Sequence, residues 1–268
     1  MIAATKNADA ARRRAIDMIF AAQASHLGTS MSLIEMLTAV YESIDVERIK
    51  RQDDARDRVI VSKGHGAAAT YAVMAQFGLL DEATTATYHT NGTKLAGHVS
   101  HAVEAVEHST GALGHGLPVA TGVAIGLRSR KFTGSRAFVI LGDGELQEGS
   151  NWEALMLASH LKLSNLVVMV DNNRISSITT TSDVINMLPL TERFAGFGFA
   201  TYDVDGHDVA AIKAAIASIA AGNRAGVIVC NTVKGNGVPF AENEPIWHYR
   251  SLNKELYQTA IDALPGRE

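Results

Sequence analysis

Two unbroken runs of β-favouring residues constrain the fold of this chain more than any other feature of its sequence. The runs cover residues 137–141 (AFVIL) and 166–170 (LVVMV), and neither alternates between apolar and polar positions. Continuous apolar strands of this kind are typical of parallel sheets that helices bury on both faces. We therefore expect a parallel sheet at the centre of the fold, covered by helices on each side.

Shorter segments continue the alternation of strands and helices along the chain. Further strands are predicted at residues 59–61 and 226–231, helices at 8–24, 31–44, 67–77, 152–161 and 209–221, and a polar turn at 25–30. Consecutive right-handed βαβ units produce this order. Since no repeat or proline-rich linker interrupts it, we predict an α/β fold, with one doubly wound parallel sheet in a single domain over residues 1–268. The loosest stretch, residues 234–249, is a candidate mobile loop.

Composition and charge exclude several classes of function. The formal net charge of −4 leaves no basic surface that would hold a nucleic acid by its phosphates. The single cysteine, Cys230, permits neither an intrachain disulfide nor a thiolate metal centre. The basic N-terminal segment is followed by an amphipathic run rather than a continuous apolar stretch, so we expect no membrane segment and a cytoplasmic protein.

Polar residues follow each of the two strongest predicted strands. Gly142-Asp143-Gly144 comes after the first strand, and Asp171-Asn172-Asn173 follows the second. Ligands of open parallel sheets bind beyond the carboxyl ends of the strands, so Asp143 and Asn173 are expected to emerge side by side. A carboxylate, an amide oxygen and a nearby backbone carbonyl suit Mg²⁺ or Ca²⁺ and leave coordination positions for a diphosphate. Taken separately, Gly-Asp-Gly also fits an ordinary turn, and Asn-Asn a capping pair.

The same residues resemble a known cofactor motif. Gly142-Asp143-Gly144, separated by 27 residues from Asn172-Asn173, is similar to the thiamine diphosphate motif, and residues 141–149 resemble its transketolase form. Further segments resemble transketolase segments in family order; they are residues 25–28, 62–66, 97–98, 109–116 and 247–248. The resemblance implies the thiamine-diphosphate-binding fold, with the pyrimidine-binding and C-terminal domains of a transketolase expected on a partner chain.

The resemblance also implies roles for individual residues. Asp143, the Asn173 side chain and the Ile175 carbonyl would ligate Mg²⁺, for which Ca²⁺ or Mn²⁺ can substitute, and the metal would bridge the two phosphates of the cofactor. The other cofactor-binding residues that it implies are His65, Gly111, Leu113, Gly144 and Glu148. The last of these resembles a family glutamate that is buried at a subunit interface, and it also fits an ordinary acid in the first turn of a helix.

Five of the ten histidines are candidates for the catalytic site. Four of them resemble family histidines that line the substrate channel: His26, His65, His98 and His248. His115 is kept as a further candidate, although many family members carry glutamine at that position. A histidine can hydrogen-bond sugar hydroxyls and shuttle protons near neutral pH. Lys63 and Lys234 either face phosphates or are solvated, as lysines after strand ends commonly are.

The activity implied by the resemblance is a two-carbon ketol transfer between sugar phosphates. Activating the cofactor in this family needs a glutamate of the pyrimidine-binding domain, so the chain is expected to be active only with a partner subunit, in an α2β2 assembly. Alternatives are a deoxyxylulose-phosphate-synthase-like or oxo-acid-dehydrogenase-like subunit, although several channel histidines favour sugars. More distant alternatives are a scaffold with a decayed cofactor site and a nicotinamide-binding protein, because residues 64–69 fit the dinucleotide fingerprint.

Overall fold

A five-stranded sheet lies at the centre of the computed structural model, which describes residues 6–265. The strands are β1 (Arg58–Val61), β2 (Ala137–Gly142), β3 (Leu166–Asn172), β4 (Ala200–Asp205) and β5 (Gly226–Asn231). All neighbouring strands are parallel, and their order across the sheet is β1-β2-β3-β5-β4.

α-Helices make up a little under half of the remaining described chain. They are α1 (Lys6–Ala21), α2 (Leu27–Tyr41), α3 (Val46–Lys50), α4 (Ala67–Gln76), α5 (Glu82–Thr85), α6 (Gly116–Ser129), α7 (Gly149–His160), α8 (Thr181–Val184), α9 (Leu190–Gly196), α10 (Val209–Ala221) and α11 (Lys254–Asp262). Short 3₁₀ turns occupy Gly64–Gly66, Gly144–Gln147 and Pro245–His248. Within residues 6–265, no helix combines the length and the apolar character needed to cross a membrane.

Alternate residues of the central strands point to opposite helical layers. In β3, Val167 and Met169 belong to a core shared with α1, α2, α4 and α10, whereas Val168 and Val170 belong to a second core with α6, α7 and α9. β3 is buried along its whole length, which explains why its sequence is continuously apolar. The predicted doubly wound parallel sheet with helices on both faces is therefore confirmed.

One predicted boundary, the start of α2, differs from the structure, and some elements, β4 and α6 among them, were not predicted. α2 begins at Leu27 rather than at residue 31, because Leu27 to Ser30 are buried in the core, and the polar turn ends at His26. β4 was not predicted, since it lacks a continuous apolar run. Its apolar residues are only partly buried and alternate with polar residues. α6 was also not predicted, because Pro118 in its first turn and its glycines are poor helix formers.

Residues 234–249 are packed rather than loose. Five residues of this segment are buried: Lys234, Gly235, Val238, Ala241 and Trp247. The N–H of Gly235 donates to the carbonyl of Gly28 at 2.9 Å, which ties the segment to the start of α2. The structure therefore does not support a mobile loop here.

Candidate active site at the carboxyl edge of the sheet

Asp143 and Asn173 lie together beyond the ends of β2 and β3. The two strands pair in register as far as Gly142 and Asp171. The Asp143 carboxylate accepts a hydrogen bond from the backbone N–H of Arg174 at 2.6 Å, so it reaches the residue next to Asn173. Both side chains are almost fully buried, with Asp143 6% and Asn173 5% exposed. The structure therefore brings a carboxylate and an amide to one point of the sheet edge.

The donor atoms at this point fit a hard divalent cation. Burial and the neighbouring Asp171 charge raise the pKa of Asp143 to about 6, so positive charge near its carboxylate is insufficient. Asn173 Oδ1 accepts from the Ile175 N–H at 3.0 Å, which places the Ile175 backbone beside the amide. The described residues contain no cluster of three or more histidine, cysteine, aspartate or glutamate side chains suited to a metal. A cation here would therefore need amide and backbone carbonyl oxygens as ligands beside the carboxylate, and Mg²⁺ and Ca²⁺ bind such oxygens.

Asp171 organises this edge from within the sheet, and sequence reasoning missed its role. It is fully buried, forms an ion pair with the buried Lys63 and accepts a hydrogen bond from the Thr232 hydroxyl. Ser32 Oγ donates to the same carboxylate at 2.6 Å, and Asn173 Nδ2 donates at 3.2 Å. Burial alone would raise the pKa of Asp171, but Lys63 and the hydroxyls of Ser32 and Thr232 hold it below its usual range. The bond from Asn173 orients that amide, and Lys63 is committed to Asp171 rather than solvated.

Lys234 places a second buried ammonium group at the same edge. Its Nζ donates to the carbonyl of Ile175 at 3.1 Å and to that of Ser176 at 2.7 Å. Burial and the nearby Lys63 charge lower the pKa of Lys234 to about 8. The side chain is therefore not solvated, and it holds the carbonyl that the family resemblance assigns to the metal.

Four of the five candidate histidines meet in one group, called here the histidine cluster. The His26 ring centroid lies 5.6 Å from that of His65, 5.5 Å from that of His98 and 5.1 Å from that of His248. The centroids of His65 and His248 are 5.2 Å apart. The four rings come from the turn before α2, the 3₁₀ turn after β1, the loop before α6 and the 3₁₀ turn before α11. The fold thus gathers residues that are far apart in sequence.

Burial lowers the pKa of all four histidines of the cluster, which favours neutral rings near pH 7. Burial and the neighbouring His98 lower the pKa of His26 to about 4, and burial and the Lys234 charge lower that of His248 to about 3. The pKa of His65 is well below its usual value, chiefly because of burial. His248 Nδ1 is buried and has no hydrogen-bond partner among the described residues. Such rings can donate or accept hydrogen bonds with a hydroxylated ligand.

Glu145 is a second buried acid that sequence reasoning missed. Its carboxylate accepts from the Ser62 hydroxyl, from the N–H of Gly114 at 2.9 Å and from the N–H of Gly142 at 3.1 Å. These bonds connect β1, the loop before α6 and the end of β2. Its position after Gly144 was the only signal in the sequence, because two of its three partners, Ser62 and Gly114, are distant along the chain.

Three predicted cofactor-binding positions lie along this edge. Gly111 is next to the histidine cluster, since a Cβ added to it would stand 3.5 Å from His98 Cδ2. Leu113 is partly buried in the same loop. The N–H of Gly144 donates to the Asp143 carboxylate at 2.8 Å. The loop and the predicted metal ligands therefore belong to one region of the molecule.

Glu148 and His115 differ from these buried groups in that both residues are exposed. Glu148 packs against Gly114, where a Cβ would stand 2.6 Å from Glu148 Cβ and where φ is +82°. His115 Nδ1 lies 3.1 Å from the carbonyl of Leu113 in its own loop. Within residues 6–265, His115 makes no ring contact with the histidine cluster. Burial of Glu148 at an interface and a catalytic role for His115 stay predictions.

The glycine-rich turn at residues 64–66 has no room for a dinucleotide. A Cβ at Gly64 would stand 2.4 Å from the Thr110 carbonyl oxygen, and one at Gly66 would stand 2.3 Å from Leu33 Cδ1. These glycines therefore serve close packing within the chain, and the His65 ring between them belongs to the histidine cluster. The nicotinamide alternative is not supported.

The sequence is similar to that of known transketolase subunits. A family model described as the thiamine diphosphate binding domain of transketolase matches residues 3–260. An apulose-4-phosphate transketolase subunit of Actinobacillus succinogenes is 36% identical over 264 residues, which cover 97% of this chain and 95% of that protein. The 6-deoxy-6-sulfo-D-fructose transketolase subunit of a Clostridium species is 30% identical over 260 residues, which cover 96% and 94% respectively.

Solved transketolases share the fold. The enzyme of Campylobacter jejuni superposes with a TM-score of 0.86 at 25% identity, over 96% of this chain and 42% of that one. A variant of the Pichia stipitis enzyme superposes with a TM-score of 0.85 at 28% identity, over 95% and 40% respectively. The present chain thus spans about two fifths of those solved chains. Sequence and fold together show that this chain belongs to the transketolase family, and that its matched residues form the family's thiamine diphosphate binding domain.

Proposed function

We propose that this chain binds thiamine diphosphate with Mg²⁺ and, together with a partner subunit, transfers a two-carbon ketol unit between sugar phosphates. The observation that carries the proposal is the buried Asp143 carboxylate beside the oriented Asn173 amide. Burial and the neighbouring Asp171 charge raise the pKa of Asp143, and a bound divalent cation would offset both effects.

The residues that would hold the metal and the cofactor lie along the same edge. Asp143, Asn173 and the Ile175 carbonyl would ligate the metal, while Gly111 and Leu113 would meet the organic part of the cofactor. When bound, thiamine diphosphate supplies an electron sink for breaking and forming carbon–carbon bonds next to a carbonyl. The chain contributes binding, orientation and the exclusion of water by its buried edge.

The histidine cluster would bind the hydroxyls of the substrate. Because His26, His65 and His248 are neutral near pH 7, each ring offers one donor and one acceptor nitrogen. His248 Nδ1, which is buried without a partner in the described chain, is available to a ligand. Several neutral rings suit a polyhydroxylated ketose better than an oxo acid, and this favours a sugar phosphate over the oxo-acid-dehydrogenase-like alternative.

An exposed apolar segment next to the site supports a partner subunit. Ile178, Val184 and Ile185 are 75%, 51% and 53% exposed. The segment reaches the site, because Thr181 Oγ1 lies 3.4 Å from Asp143 Oδ2. Large apolar side chains grouped on a surface commonly mark an interface. We propose that a subunit carrying the pyrimidine-binding domain covers this face in an α2β2 assembly and buries Glu148.

Similar proteins support both the partner and the substrate class. Two of them are named as transketolase subunits for apulose 4-phosphate and for 6-deoxy-6-sulfo-D-fructose. Since one of those substrates carries a phosphate and the other a sulfonate, we extend to this chain only the class that they share, a ketose donor with an anionic group, together with an aldose acceptor.

The experiment that tests the proposal is reconstitution with a subunit that carries the pyrimidine-binding domain. Purified chain, partner and the mixture are each given thiamine diphosphate, Mg²⁺, a ketose phosphate and an aldose phosphate, and the sugar products are separated and quantified. We expect ketol transfer from the mixture alone, and none with pyruvate as donor. Turnover by this chain alone would contradict the two-subunit proposal. A preference for pyruvate would favour the deoxyxylulose-phosphate-synthase-like or the oxo-acid-dehydrogenase-like alternative.

A further inference from the structure

We infer that the Lys234 ammonium group hydrogen-bonds the Ile175 carbonyl in the metal-free chain and leaves it when the divalent metal binds. The inference rests on the proposed function, since that function assigns the Ile175 carbonyl to the metal. It adds a competitor that the chain itself supplies. The contacts of the lysine, its position in the fold and its charge each support it.

The fold fixes the position of this lysine. The N–H of Gly235 donates to the Gly28 carbonyl at 2.9 Å, and the N–H of Asn243 donates to the Lys234 carbonyl at 2.8 Å. The side chain packs on the same glycine, because a Cβ added to Gly28 would stand 3.2 Å from Lys234 Cγ. The packed aliphatic part of the Lys234 side chain therefore fixes the position of the ammonium group beside its carbonyl partners.

The Lys234 ammonium group lies at the carbonyl that the divalent metal is proposed to bind. Lys234 Nζ donates to the Ile175 and Ser176 carbonyls, and only 2% of the residue is exposed. Lys63 is already paired with Asp171, whereas no ion pair to Lys234 exists within the described chain. A buried ammonium that is bonded to carbonyls alone resembles a bound metal ion in its surroundings.

Lys234 and a divalent metal cannot both hold the Ile175 carbonyl at low cost. The metal would approach that oxygen to roughly 2.0–2.6 Å, and the ammonium already lies 3.1 Å from it. Two cations that share one buried oxygen repel each other strongly, because the local dielectric constant is low. Metal binding therefore moves Lys234 away from Ile175, and the Ser176 carbonyl remains as its partner. Before that, Lys234 keeps the ligand-bearing turn folded.

Mn²⁺ binding to the purified chain without cofactor tests this competition, measured by electron paramagnetic resonance. Lys234→Met and Lys234→Gln remove the charge, and Lys234→Arg keeps it. Lys213→Met is the matched control. Lys213 lies on α10 and pairs with Glu42 at 2.9 Å, and its replacement changes the net charge equally. We expect both neutral variants at position 234 to bind Mn²⁺ on the order of tenfold more tightly, equivalent to ~1.4 kcal/mol. The Arg and Lys213 variants should not bind it more tightly.

Amide hydrogen exchange supplies a second readout that does not depend on affinity. Without metal, residues 174–176 should exchange faster in Lys234→Met than in the wild type, and Mn²⁺ should restore their protection. If the wild type binds Mn²⁺ and neither neutral variant binds it more tightly, the inference about Lys234 is wrong and the proposed function stands. If no form binds Mn²⁺ even with thiamine diphosphate and the partner subunit, the proposed function itself fails, and the inference with it.

Discussion

Two buried carboxylates, Glu35 and Asp171, have similar partners but lie in different parts of the molecule. Glu35 is 2% exposed, forms an ion pair with Arg12 and accepts from His207 Nδ1 at 3.1 Å. Asp171 is fully buried and forms an ion pair with Lys63. The first cluster joins α1 and α2 to the turn after β4, and the second lies at the carboxyl edge of the sheet.

The two clusters differ in what remains uncompensated around them. Arg12 Nη1 also donates to the Asn236 carbonyl at 2.7 Å. Burial alone would raise the pKa of Glu35, but His207 and Arg12 hold it below its usual value. Beside Asp171, by contrast, burial and the Asp171 charge raise the pKa of Asp143. A structural cluster satisfies all its members, whereas the site keeps a carboxylate that a bound cation can compensate.

Replacing Glu35 tests the structural half of this comparison and should have the largest effect. Glu35→Gln leaves the Arg12 guanidinium buried without its counter-ion, so we expect the free energy of unfolding to fall by about 3–5 kcal/mol. Urea denaturation of the purified chain measures this change. Affinity for thiamine diphosphate, measured at a temperature where the variant is folded, should stay close to that of the wild type. A loss of affinity without a loss of stability would reverse the roles of the two clusters.

Replacing Asp143 tests the functional half. Asp143→Asn removes a predicted metal ligand, so Mg²⁺-dependent affinity for thiamine diphosphate should fall by about 100-fold or more in calorimetry. Because the change also removes repulsion from Asp171, the free energy of unfolding should change by less than about 1 kcal/mol. Asp262→Asn, on the exposed side of α11, is the matched control. A large loss of stability with unchanged cofactor affinity would make Asp143 a structural residue.

The histidine cluster should make stability depend on pH, and this is the smallest effect expected. Burial and the Lys234 charge lower the pKa of His248 to about 3 in the folded chain, whereas an unfolded histidine titrates near 6.5. The unfolded state therefore takes up a proton first as the pH falls through 6.5, and stability is lost between that pH and about 3. Relative to the wild type, His248→Gln should lose less stability over this window. The exposed His160→Gln should follow the wild type, and parallel curves for all three would contradict this assignment.

The sequence predicts the central sheet well because its strands obey a simple rule. The runs at residues 137–141 and 166–170 are continuously apolar, and the structure buries both faces of the strands that contain them. β4 could not be predicted in this way, since it lies at the sheet edge and shares its burial with polar residues.

The site was predictable only in part, for a physical reason. Asp143 and Asn173 follow neighbouring parallel strands, and their closeness could therefore be derived from the order of elements. The pairing of Lys63 with Asp171 spans 108 positions and leaves no local pattern. The histidine cluster likewise joins four distant segments, and the family resemblance alone indicated it.

A crystal structure of the chain with thiamine diphosphate and Mn²⁺, with an anomalous difference map recorded for manganese, tests the central claim most directly. We predict one strong peak at the edge of the sheet, within roughly 2.0–2.6 Å of oxygen atoms of Asp143, Asn173 and Ile175. The diphosphate would contact that peak, and Lys234 Nζ would have left the Ile175 carbonyl. A metal bound elsewhere, or a diphosphate held away from these residues, would contradict the proposed site.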